Sequence, residues 1–343
     1  MKYDDSEKIA KIIKNFERII VTGCAGFIGW KVSEMLLDLG KEVIGIDNLN
    51  DAYDGRLKEW RLNQLRPREN FRFYKLDISQ KEPIFDFFKQ IEANSSDAII
   101  NLAARVGVRQ SLENPWVYYE TNAIGTLNLL ECCKNHGIKK FVLASTSSLY
   151  GNHNKIPFSE DDDTNRPLSP YAASKKAAET LCFTYHHLYG LDITVFRYFT
   201  VYGPAGRPDM SYFKFIKWIL EDKPVIIYGD GNQSRDFTYV DDIARGTILG
   251  LKNLGYEIIN LGSDSPYSLI EIIKIIEKLT GKKAVIKHEP FHKADVEKTW
   301  ADIKKSCLLL GWEPAKTIKT GLMNTFNWAK DNFDLIYKIN LFS

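Results

Sequence analysis

Between residues 18 and 198 the sequence alternates short β-branched segments with longer segments of helical periodicity, and this alternation restricts the fold more than any other feature. Strands are predicted at residues 18–22, 42–47, 71–77, 98–102, 140–145 and 192–198. Helices are predicted between them, at residues 30–39, 83–92, 115–136 and 170–189. Strands separated by helices of this length form βαβ units. The sequence therefore predicts an α/β fold, a doubly wound parallel sheet with helices on both faces.

The alternation loosens after Tyr198, where short strands mix with one long periodic helix. Before Arg18, isoleucines at helical spacing predict a short amphipathic helix. We therefore divide the chain into an N-terminal helical extension, a first α/β domain and a smaller C-terminal α/β lobe. Their bounds are residues 1–17, 18–198 and 199–343, and the lobe is interleaved with the first domain around residues 236–262.

Composition argues against several classes of function. The 343 residues carry 46 Lys and Arg against 44 Asp and Glu, a net charge of +2 without a clustered basic surface, so we expect no nucleic-acid partner. We find neither a bilayer-spanning apolar stretch nor a secretory signal, so we expect no membrane association and a cytoplasmic location. The five cysteines are Cys24, Cys132, Cys133, Cys182 and Cys307. They form no C-x-x-C pair, which predicts a reducing compartment, no disulfide framework and no metal site.

A glycine-rich turn follows the first predicted strand and opens the first helix. Gly23 permits a tight turn, Gly26 lets the backbone approach a pyrophosphate, and Gly29 allows the helix to pack closely on the strand. Asp47, at the end of the second strand, can accept hydrogen bonds from the adenosine ribose hydroxyls, and its charge repels a 2′-phosphate. Three glycines alone are common in structural turns, but this context predicts dinucleotide binding, with NAD preferred over NADP.

A second candidate group of residues includes Tyr171 and Lys175, which are four residues apart and so share one face of a predicted helix. A free tyrosine has a pKa of about 10, and a nearby ammonium favours its ionised form, so Lys175 is expected to bring Tyr171 toward the range of a general base. Thr146 follows the strand at 140–145, at the edge where open α/β sheets bind ligands. We predict Thr146, Tyr171 and Lys175 as the catalytic residues.

The Gly-x-x-Gly-x-x-Gly spacing resembles the extended short-chain dehydrogenase/reductase superfamily. Further motifs, at residues 101–104, 197–204 and 235–242, resemble its NAD-dependent nucleotide-sugar epimerases and dehydratases. The resemblance implies a Rossmann-type domain that holds NAD permanently, a UDP-sugar in the smaller lobe, and a homodimer formed through the helices at 115–136 and 170–189. It also implies the cofactor-binding residues: Gly23, Gly26, Phe27, Ile28, Gly29, Asp47, Asn48, Asp77, Ile78, Leu102, Ala103, Ala104, Asn122, Tyr171, Lys175 and Tyr198.

The substrate-binding residues predicted alongside this resemblance are Arg109, Ser147, Ser148, Thr200, Arg207, Arg235 and Asp295. By the resemblance, Arg235 and Asp295 hold the diphosphate and the uridine ribose, and an arginine suits phosphate because its fork binds two oxygens. One position departs from the family, since relatives usually have a small residue after Gly29 and this chain has Trp30. A large indole there is expected to alter helix packing near the cofactor.

Oxidation at C4 of the sugar gives a 4-keto intermediate, and the residues beside Thr146 decide the fate of that intermediate. The dehydratase and decarboxylase branches are expected to place an acidic residue there, whereas this chain has Ser147 and Ser148. Return of the hydride to the opposite face inverts C4, so the sequence favours an epimerase, an isomerase of carbohydrate metabolism. The alternative within the family is a nucleotide-sugar 4,6-dehydratase. The alternative outside it is a non-catalytic NAD-sensing module, although such modules typically lose the tyrosine or the lysine.

The segment after Thr200 is most similar to the UDP-glucuronate 4-epimerase branch of the family. Arg207 offers a bidentate fork to the C6 carboxylate of a uronate, whose burial requires a cation or several donors. The hydroxyls of Thr200, Ser147 and Ser148 add donors around the same sugar. The leading substrate pair is therefore UDP-glucuronate and UDP-galacturonate, and the alternatives are UDP-N-acetylglucosamine and UDP-glucose.

Overall fold

The computed structural model describes residues 5–152, 154–291 and 296–341. The strands in chain order are β1 (Arg18–Thr22), β2 (Glu42–Asp47), β3 (Phe71–Lys75), β4 (Asp97–Asn101), β5 (Lys140–Thr146), β6 (Asp192–Tyr198), β7 (Thr200–Tyr202), β8 (Val225–Tyr228), β9 (Ser234–Tyr239), β10 (Tyr256–Leu261), β11 (Pro266–Ser268) and β12 (Ile286–Glu289). The helices are α1 (Ser6–Ile13), α2 (Phe27–Asp38), α3 (Gly55–Leu65), α4 (Lys81–Gln90), α5 (Trp116–Tyr118), α6 (Gly125–His136), α7 (Pro170–Tyr189), α8 (Ser211–Leu220), α9 (Val240–Leu249), α10 (Leu269–Thr280), α11 (Lys304–Leu310), α12 (Ile318–Asp331) and α13 (Phe333–Lys338). Shorter helical turns lie at Gln110–Leu112 and Ser147–Tyr150, and a π-helical turn at Tyr119–Ile124 joins α5 to α6.

A seven-stranded parallel sheet forms the centre of the fold, with the strand order β10-β6-β5-β4-β1-β2-β3. Strands β4 and β5 are buried along their whole length, as expected for strands that helices cover on both faces. The strand order reverses direction between β1 and β4, and in such sheets a crevice opens at the carboxyl ends of these strands. The predicted α/β fold with a doubly wound parallel sheet is confirmed.

Residues beyond Tyr198 return to this central sheet. β10 pairs in parallel with β6 and forms an edge of the sheet. Helix α9 packs against α2, the helix that follows the glycine-rich turn, and its residues Ile243 and Ile248 are fully buried in the same core as Val21 and Val32. The C-terminal part of the chain therefore contributes to the central sheet as well as to two smaller ones.

The smaller sheets have the strand orders β11-β9-β7 and β12-β8. Apolar residues of these strands and of α8, α10 and α12 form a second core that includes Phe213, Ile272 and Leu322. Tyr53 and Leu57, from α3 and the loop before it, belong to this second core. Helix α3 therefore lies at the contact between the central sheet and the smaller sheets.

Three tryptophans connect the same regions through edge-on contacts. Trp30 of α2 packs against Trp60 of α3 with ring centroids 5.5 Å apart, and Trp60 packs against Trp328 of α12 with centroids 5.3 Å apart. The Trp60 Nε1 also donates a hydrogen bond to Asn332 Oδ1 at 3.0 Å. The large residue that follows Gly29 therefore packs on the side of α2 that faces α3.

Helix α1 packs on the outside of α9. Ile9 and Ile13 are buried in the main core, and Arg245 of α9 forms ion pairs with Asp5 and Asp242. The helix ends at Ile13, short of residue 17, because the chain then turns into β1. No helix within the described part of the chain has both the length and the apolar character needed to cross a bilayer.

Candidate active site

A cavity of about 790 Å³ opens at the carboxyl ends of the parallel strands. Its walls come from the segments that end or follow β1 to β6, and from the loop and helix around α8. This volume is typical of small-molecule sites, and open α/β sheets bind their ligands at this edge. The cavity is therefore the candidate active site.

The glycine-rich turn forms one end of the cavity. Gly23 has a left-handed φ of +70°, and a Cβ there would lie 2.7 Å from the Ala103 nitrogen. A Cβ on Gly29 would lie 2.1 Å from the Gly23 oxygen, so neither position tolerates a side chain. Helix α2 begins at Phe27 without a side-chain cap, and the first N–H groups of a helix attract anions. The turn therefore fits a pyrophosphate.

Asp47 and Lys58 lie side by side on the adjoining wall. The Asp47 carboxylate is almost fully buried and accepts hydrogen bonds from the backbone N–H groups of Ala25, at 3.1 Å, and Leu49, at 2.8 Å. The Lys58 Nζ donates to the backbone oxygen of Asn50 at 2.8 Å. Burial lowers the pKa of Lys58 to about 8, and the Asp47 charge opposes this shift. The Asp47 carboxylate as acceptor and the Lys58 ammonium as donor together suit a ribose diol. Lys58 was not predicted from the sequence.

Most of the remaining residues predicted for the cofactor also line the cavity: Gly26, Ile28, Asn48, Asp77, Ile78, Leu102, Ala103, Ala104 and Tyr198. Together with the turn and Asp47, these walls fit a dinucleotide. Asn122 differs, because it is buried behind the wall within the π-helical turn. Its Nδ2 donates to Ser174 Oγ and to the Arg105 oxygen, both at 2.9 Å, and its Oδ1 accepts from the Arg105 N–H. Asn122 therefore joins α7 to the loop after β4.

Helix α7 places Tyr171 and Lys175 on the cavity wall, one turn apart. The helix begins at Pro170, and the Ser169 hydroxyl accepts a hydrogen bond from the Ala172 N–H at 3.2 Å. Proline in the first turn and a serine cap are both strong signals for a helix start. The sequence therefore fixes where the first turn lies, and Tyr171 belongs to that turn.

Tyr171 is deeply buried, and burial raises the pKa of its hydroxyl. A hydrogen bond with Thr146 and the positive charge of Arg207 act in the opposite direction. The sequence predicted that Lys175 would lower the pKa of Tyr171, but in the structure the lowering contributions come from Thr146 and Arg207. The reason is geometric, since the Lys175 ammonium is directed to the backbone of β5.

Lys175 lies at the end of a buried polar network. Its Nζ donates to the Ala144 oxygen at 2.8 Å, and burial lowers its pKa to about 8, although the Glu179 charge opposes the shift. Glu179, one turn further along α7, accepts a hydrogen bond from Ser145 and pairs with Arg197 at 2.9 Å. Ala144 and Ser145, neighbours in β5, therefore bind Lys175 and Glu179 and fix two successive turns of α7 beside the cavity.

Arg207 lies on the cavity wall, but Asp209 occupies much of its fork. The Arg207 Nε donates to Asp209 Oδ1 at 3.0 Å, and Nη2 pairs with Oδ2. Burial acts to lower the pKa of Arg207, but Asp209 outweighs it and the pKa is raised. Burial likewise acts to raise the pKa of Asp209, but Arg207 outweighs it and the pKa is lowered. The fork predicted for a uronate carboxylate is thus partly engaged within the protein, and N–H groups on Nη1 and Nη2 remain for a ligand.

The other predicted substrate residues on the cavity wall are Arg109, Ser147, Ser148, Thr200 and Arg235. The Arg109 guanidinium lies over the Tyr228 ring, 4.1 Å from its centroid. Asp295 lies outside the described residues. Sequence analysis missed further residues of the cavity wall, which combine rings with charged and polar groups: Asp209, Lys214, Phe215, Trp218, Ile226, Tyr228 and Gln233. Such a mixture suits a nucleobase joined to phosphates.

Comparison with known proteins agrees with this geometry. Residues 19–262 match the NAD dependent epimerase/dehydratase family. The chain is 61% identical over 323 residues to a UDP-glucuronate 4-epimerase of Thermodesulfobacterium geofontis, covering 94% of this chain and 99% of that protein. A UDP-glucuronic acid 4-epimerase from Bacillus cereus, solved with UDP-glucuronic acid and NAD, is similar with a TM-score of 0.85 and 38% identity, covering 92% of this chain and 99% of that one. A UDP-glucose 4-epimerase from Thermotoga maritima, solved with UDP-glucose, is similar with a TM-score of 0.84 and 32% identity, with the same coverage.

Proposed function

The chain belongs to the NAD-dependent epimerase/dehydratase family, and from this premise we propose that it interconverts UDP-glucuronate and UDP-galacturonate. It is an NAD-dependent nucleotide-sugar 4-epimerase, an isomerase that acts on a UDP-sugar. The observation that carries the choice of a uronate is the 61% identity, over 94% of the chain, to a UDP-glucuronate 4-epimerase. Arg207 on the cavity wall supplies the physical reason, since it provides a cation for a buried carboxylate.

Tyr171 is the general base of the proposed reaction. Thr146 and Arg207 act to lower the pKa of its hydroxyl. The tyrosine accepts the proton of the sugar's C4 hydroxyl while the C4 hydrogen leaves as a hydride. NAD⁺, when bound, takes up this hydride and gives it back. In the return step Tyr171 restores the proton to the C4 oxygen. Burial raises the pKa of the tyrosine, which strengthens the tyrosinate as a base, while Thr146 and Arg207 act in the opposite direction and favour its ionised form.

Inversion requires that the hydride return to the opposite face of the C4 ketone. Tyr171 is fixed on α7, so the sugar must turn within the cavity between the two steps. Ser147 and Ser148 line the wall beside Thr146 with neutral hydroxyls. These hydroxyls can hold either orientation of the sugar, and they supply no acid or base for elimination of water. Hydride return is therefore the favoured outcome.

A 4-keto uronate is a β-keto acid and loses CO₂ easily, so the site must also protect its intermediate. The Arg207 fork is held by Asp209, and Thr200 lines the same cavity. A carboxylate bound between these donors is kept out of the alignment that C–C cleavage requires. The pair of Arg207 and Asp209 thus supports epimerisation over decarboxylation.

The test is to offer UDP-glucuronate, UDP-N-acetylglucosamine and UDP-glucose separately to the purified protein and to resolve the products by NMR. We expect UDP-galacturonate to form from UDP-glucuronate with the highest kcat/KM. Faster conversion of either neutral sugar would refute the uronate and leave the 4-epimerase activity standing. Loss of water from the product, measured by mass spectrometry, would indicate a dehydratase, and conversion of none of the three would favour an NAD-sensing module.

We also propose that the protein is a homodimer. Helices α5, α6 and α7 and the π-helical turn pack together. Large apolar residues are exposed on α5, on the π-helical turn and on α7: Trp116, Tyr119, Ile124, Phe183 and Leu188. Exposed apolar residues that form one patch mark association sites. In sedimentation velocity we expect a dimer that Phe183→Asp converts to a monomer, whereas Leu308→Asp, at an exposed leucine on α11, leaves the dimer intact.

We propose further that the chain divides as the sequence indicates, into residues 18–198 for the cofactor and 199–343 for the UDP-sugar, after the extension at 1–17. The positions of α9 and β10 support the interleaving around residues 236–262.

A cytoplasmic location is supported by the cysteines, since all five are free thiols and suit a reducing compartment.

A further inference from the structure

Arg61, in α3, is completely buried, which is unusual for an arginine. Its Nε and Nη2 donate to the Ala205 oxygen at 2.9 and 2.7 Å, and Nη2 also donates to the Gly206 oxygen at 3.1 Å. Its Nη1 donates to the Ala25 oxygen at 3.1 Å and to the Tyr53 hydroxyl at 2.6 Å. One guanidinium therefore joins the glycine-rich turn to the loop between β7 and α8.

The acceptors of Arg61 are all neutral oxygens, and within the described ranges no carboxylate forms an ion pair with it. A buried charge is costly unless strong hydrogen bonds compensate it, and bonds from a charged donor are stronger than neutral ones. The charge is therefore compensated only while the turn and the loop keep their carbonyl groups around the fork. This arrangement fixes the two segments relative to each other.

The loop that Arg61 holds carries Arg207 as its next residue. Ala205 has a left-handed φ of +51°, which is uncommon for a residue other than glycine. A Cβ on Gly206 would lie 1.9 Å from the Tyr212 hydroxyl, so the loop is packed without room for a side chain. The backbone immediately before Arg207 is thus restricted in conformation, and Arg61 binds it at two carbonyl groups.

We propose that Arg61 is a positioning residue for sugar recognition, because it sets the distance between the cofactor turn and Arg207. The proposal rests on the proposed function, since it takes Arg207 to be the residue that meets the sugar carboxylate. The proposal takes the nucleotide part of the substrate to bind near Arg235 and Tyr228, which belong to β9 and β8 and not to the loop that Arg61 binds. Binding of UDP alone is therefore insensitive to Arg61.

The test uses two variants of Arg61 and one matched control. Arg61→Met removes the fork and keeps most of the side-chain length, whereas Arg61→Lys keeps the charge but cannot reach carbonyls on both segments. Arg66→Met is the control, because Arg66 directly follows the same helix, is 46% exposed and contacts Glu59 and Asn63. For each holoenzyme we would measure the NAD content, the affinities for UDP and UDP-glucuronate by calorimetry, and kcat and KM for UDP-glucuronate.

We expect both Arg61 variants to retain NAD and to bind UDP with wild-type affinity. Their kcat/KM for UDP-glucuronate is expected to fall about 10²-fold, the cost of misplacing a substrate-positioning group by about 1 Å. Arg66→Met should match the wild type in every measurement. Wild-type kinetics in Arg61→Lys, or an equal loss of affinity for UDP and UDP-glucuronate, would overturn the proposal. Should Arg61→Met not fold, Arg61→Lys alone decides between these outcomes.

A cycle with Arg207→Gln separates this proposal from the proposed function. If Arg61 acts through Arg207, the loss caused by Arg61→Lys largely disappears in the Arg207→Gln background, because coupled residues are not additive. Full additivity of the two losses would overturn the proposal. If the wild type instead prefers a neutral UDP-sugar, the uronate assignment fails. The same cycle run on that sugar still supports or overturns the coupling of Arg61 to Arg207.

Discussion

Tyr171 and Lys175 are both buried, and burial shifts their pKa values in opposite directions. It raises the pKa of the tyrosine, and it lowers the pKa of the lysine to about 8. Thr146 and Arg207 oppose the first shift, and Glu179 opposes the second. The neighbours therefore favour the ionised tyrosine and the protonated lysine. Single substitutions can test the contribution of each of these two residues.

Tyr171→Phe should remove the base and keep the packing of α7, because only the hydroxyl is lost. We expect turnover to fall by about 10²–10⁴-fold, the usual contribution of general base catalysis, with NAD content and unfolding midpoint unchanged. Steady-state kinetics, cofactor absorbance and urea unfolding measure the three quantities. Near-normal turnover in this variant would show that another group is the base.

Lys175 should also affect how stability depends on pH. An unfolded lysine keeps its proton up to its ordinary pKa of 10.5, whereas the folded Lys175 loses it at about 8. Below pH 8 the penalty of burying the ammonium is fully present, and it is relieved as the pH rises from about 8 to 10.5, because there the unfolded state binds more protons. We expect the gain in urea midpoint between pH 8 and 10 to be smaller in Lys175→Met than in the wild type. Equal gains would contradict the burial of a charged Lys175.

Sequence patterns located the predicted catalytic residues on the cavity wall, but they did not indicate the side chains that these residues contact. Tyr171 could be placed because a proline and a serine mark the start of its helix. The pairing of Arg207 with Asp209 and the position of Asn122 behind the wall depend on side-chain direction, which residue type and spacing do not specify. The sequence therefore indicated which residues reach the cavity more reliably than what each one contacts.

Helix α3 was not predicted from the sequence, although it carries Lys58 and Arg61. Its buried face includes these two charged side chains among leucines, so the face shows no apolar periodicity. The signal that was present is Asp54, whose side chain caps the helix by accepting from the Arg56 N–H at 3.1 Å. Burial of a lysine and an arginine depends on carbonyl groups distant in sequence, which a local pattern cannot show.

The start of α7 offers a test of how helix geometry affects catalysis. Ser169→Ala removes the cap two residues before Tyr171, and we expect it to lower the free energy of unfolding by about 1 kcal/mol. It should also reduce turnover, because Tyr171 lies in the turn that the cap fixes. Thr317→Ala is the matched control, since Thr317 caps α12 by accepting from the Thr320 N–H and lies away from the cavity. Similar turnover in both variants would show that the cap is structural only.

At the scale of the whole molecule, helix α1 packs against α9 and contributes Ile9 and Ile13 to the main core. Ile13 is 3% exposed within the main core, so Ile13→Ala should lower the free energy of unfolding by about 2–5 kcal/mol without changing kcat/KM. Ile12 is only partly buried, so Ile12→Ala should cost clearly less. Urea unfolding and steady-state kinetics check both. Equal, small losses would mean that α1 contributes little to the fold.

The parallel sheet could be predicted because strands β1 to β6, and most of the helices between them, each have a periodic signal of their own. The return of β10 to the edge of this sheet, beside β6, involves strands far apart in sequence, so the sequence indicated only an approximate region of interleaving. The same limit applies to the cavity wall around Tyr228 and Trp218, which forms where separate segments of the smaller sheets and α8 meet.

The contact of Trp30 with Trp60, and of Trp60 with Trp328, also has an optical consequence. Edge-on indoles at 5.3–5.5 Å couple their electronic transitions, so their near-ultraviolet circular dichroism depends on the angles between the rings. The three rings belong to α2, α3 and α12, which come from opposite ends of the chain. A substrate that moves the smaller sheets relative to the central one should therefore change this spectrum. The near-ultraviolet circular dichroism of these three tryptophans can therefore report such a movement without a label. It can be recorded by stopped-flow before any product forms.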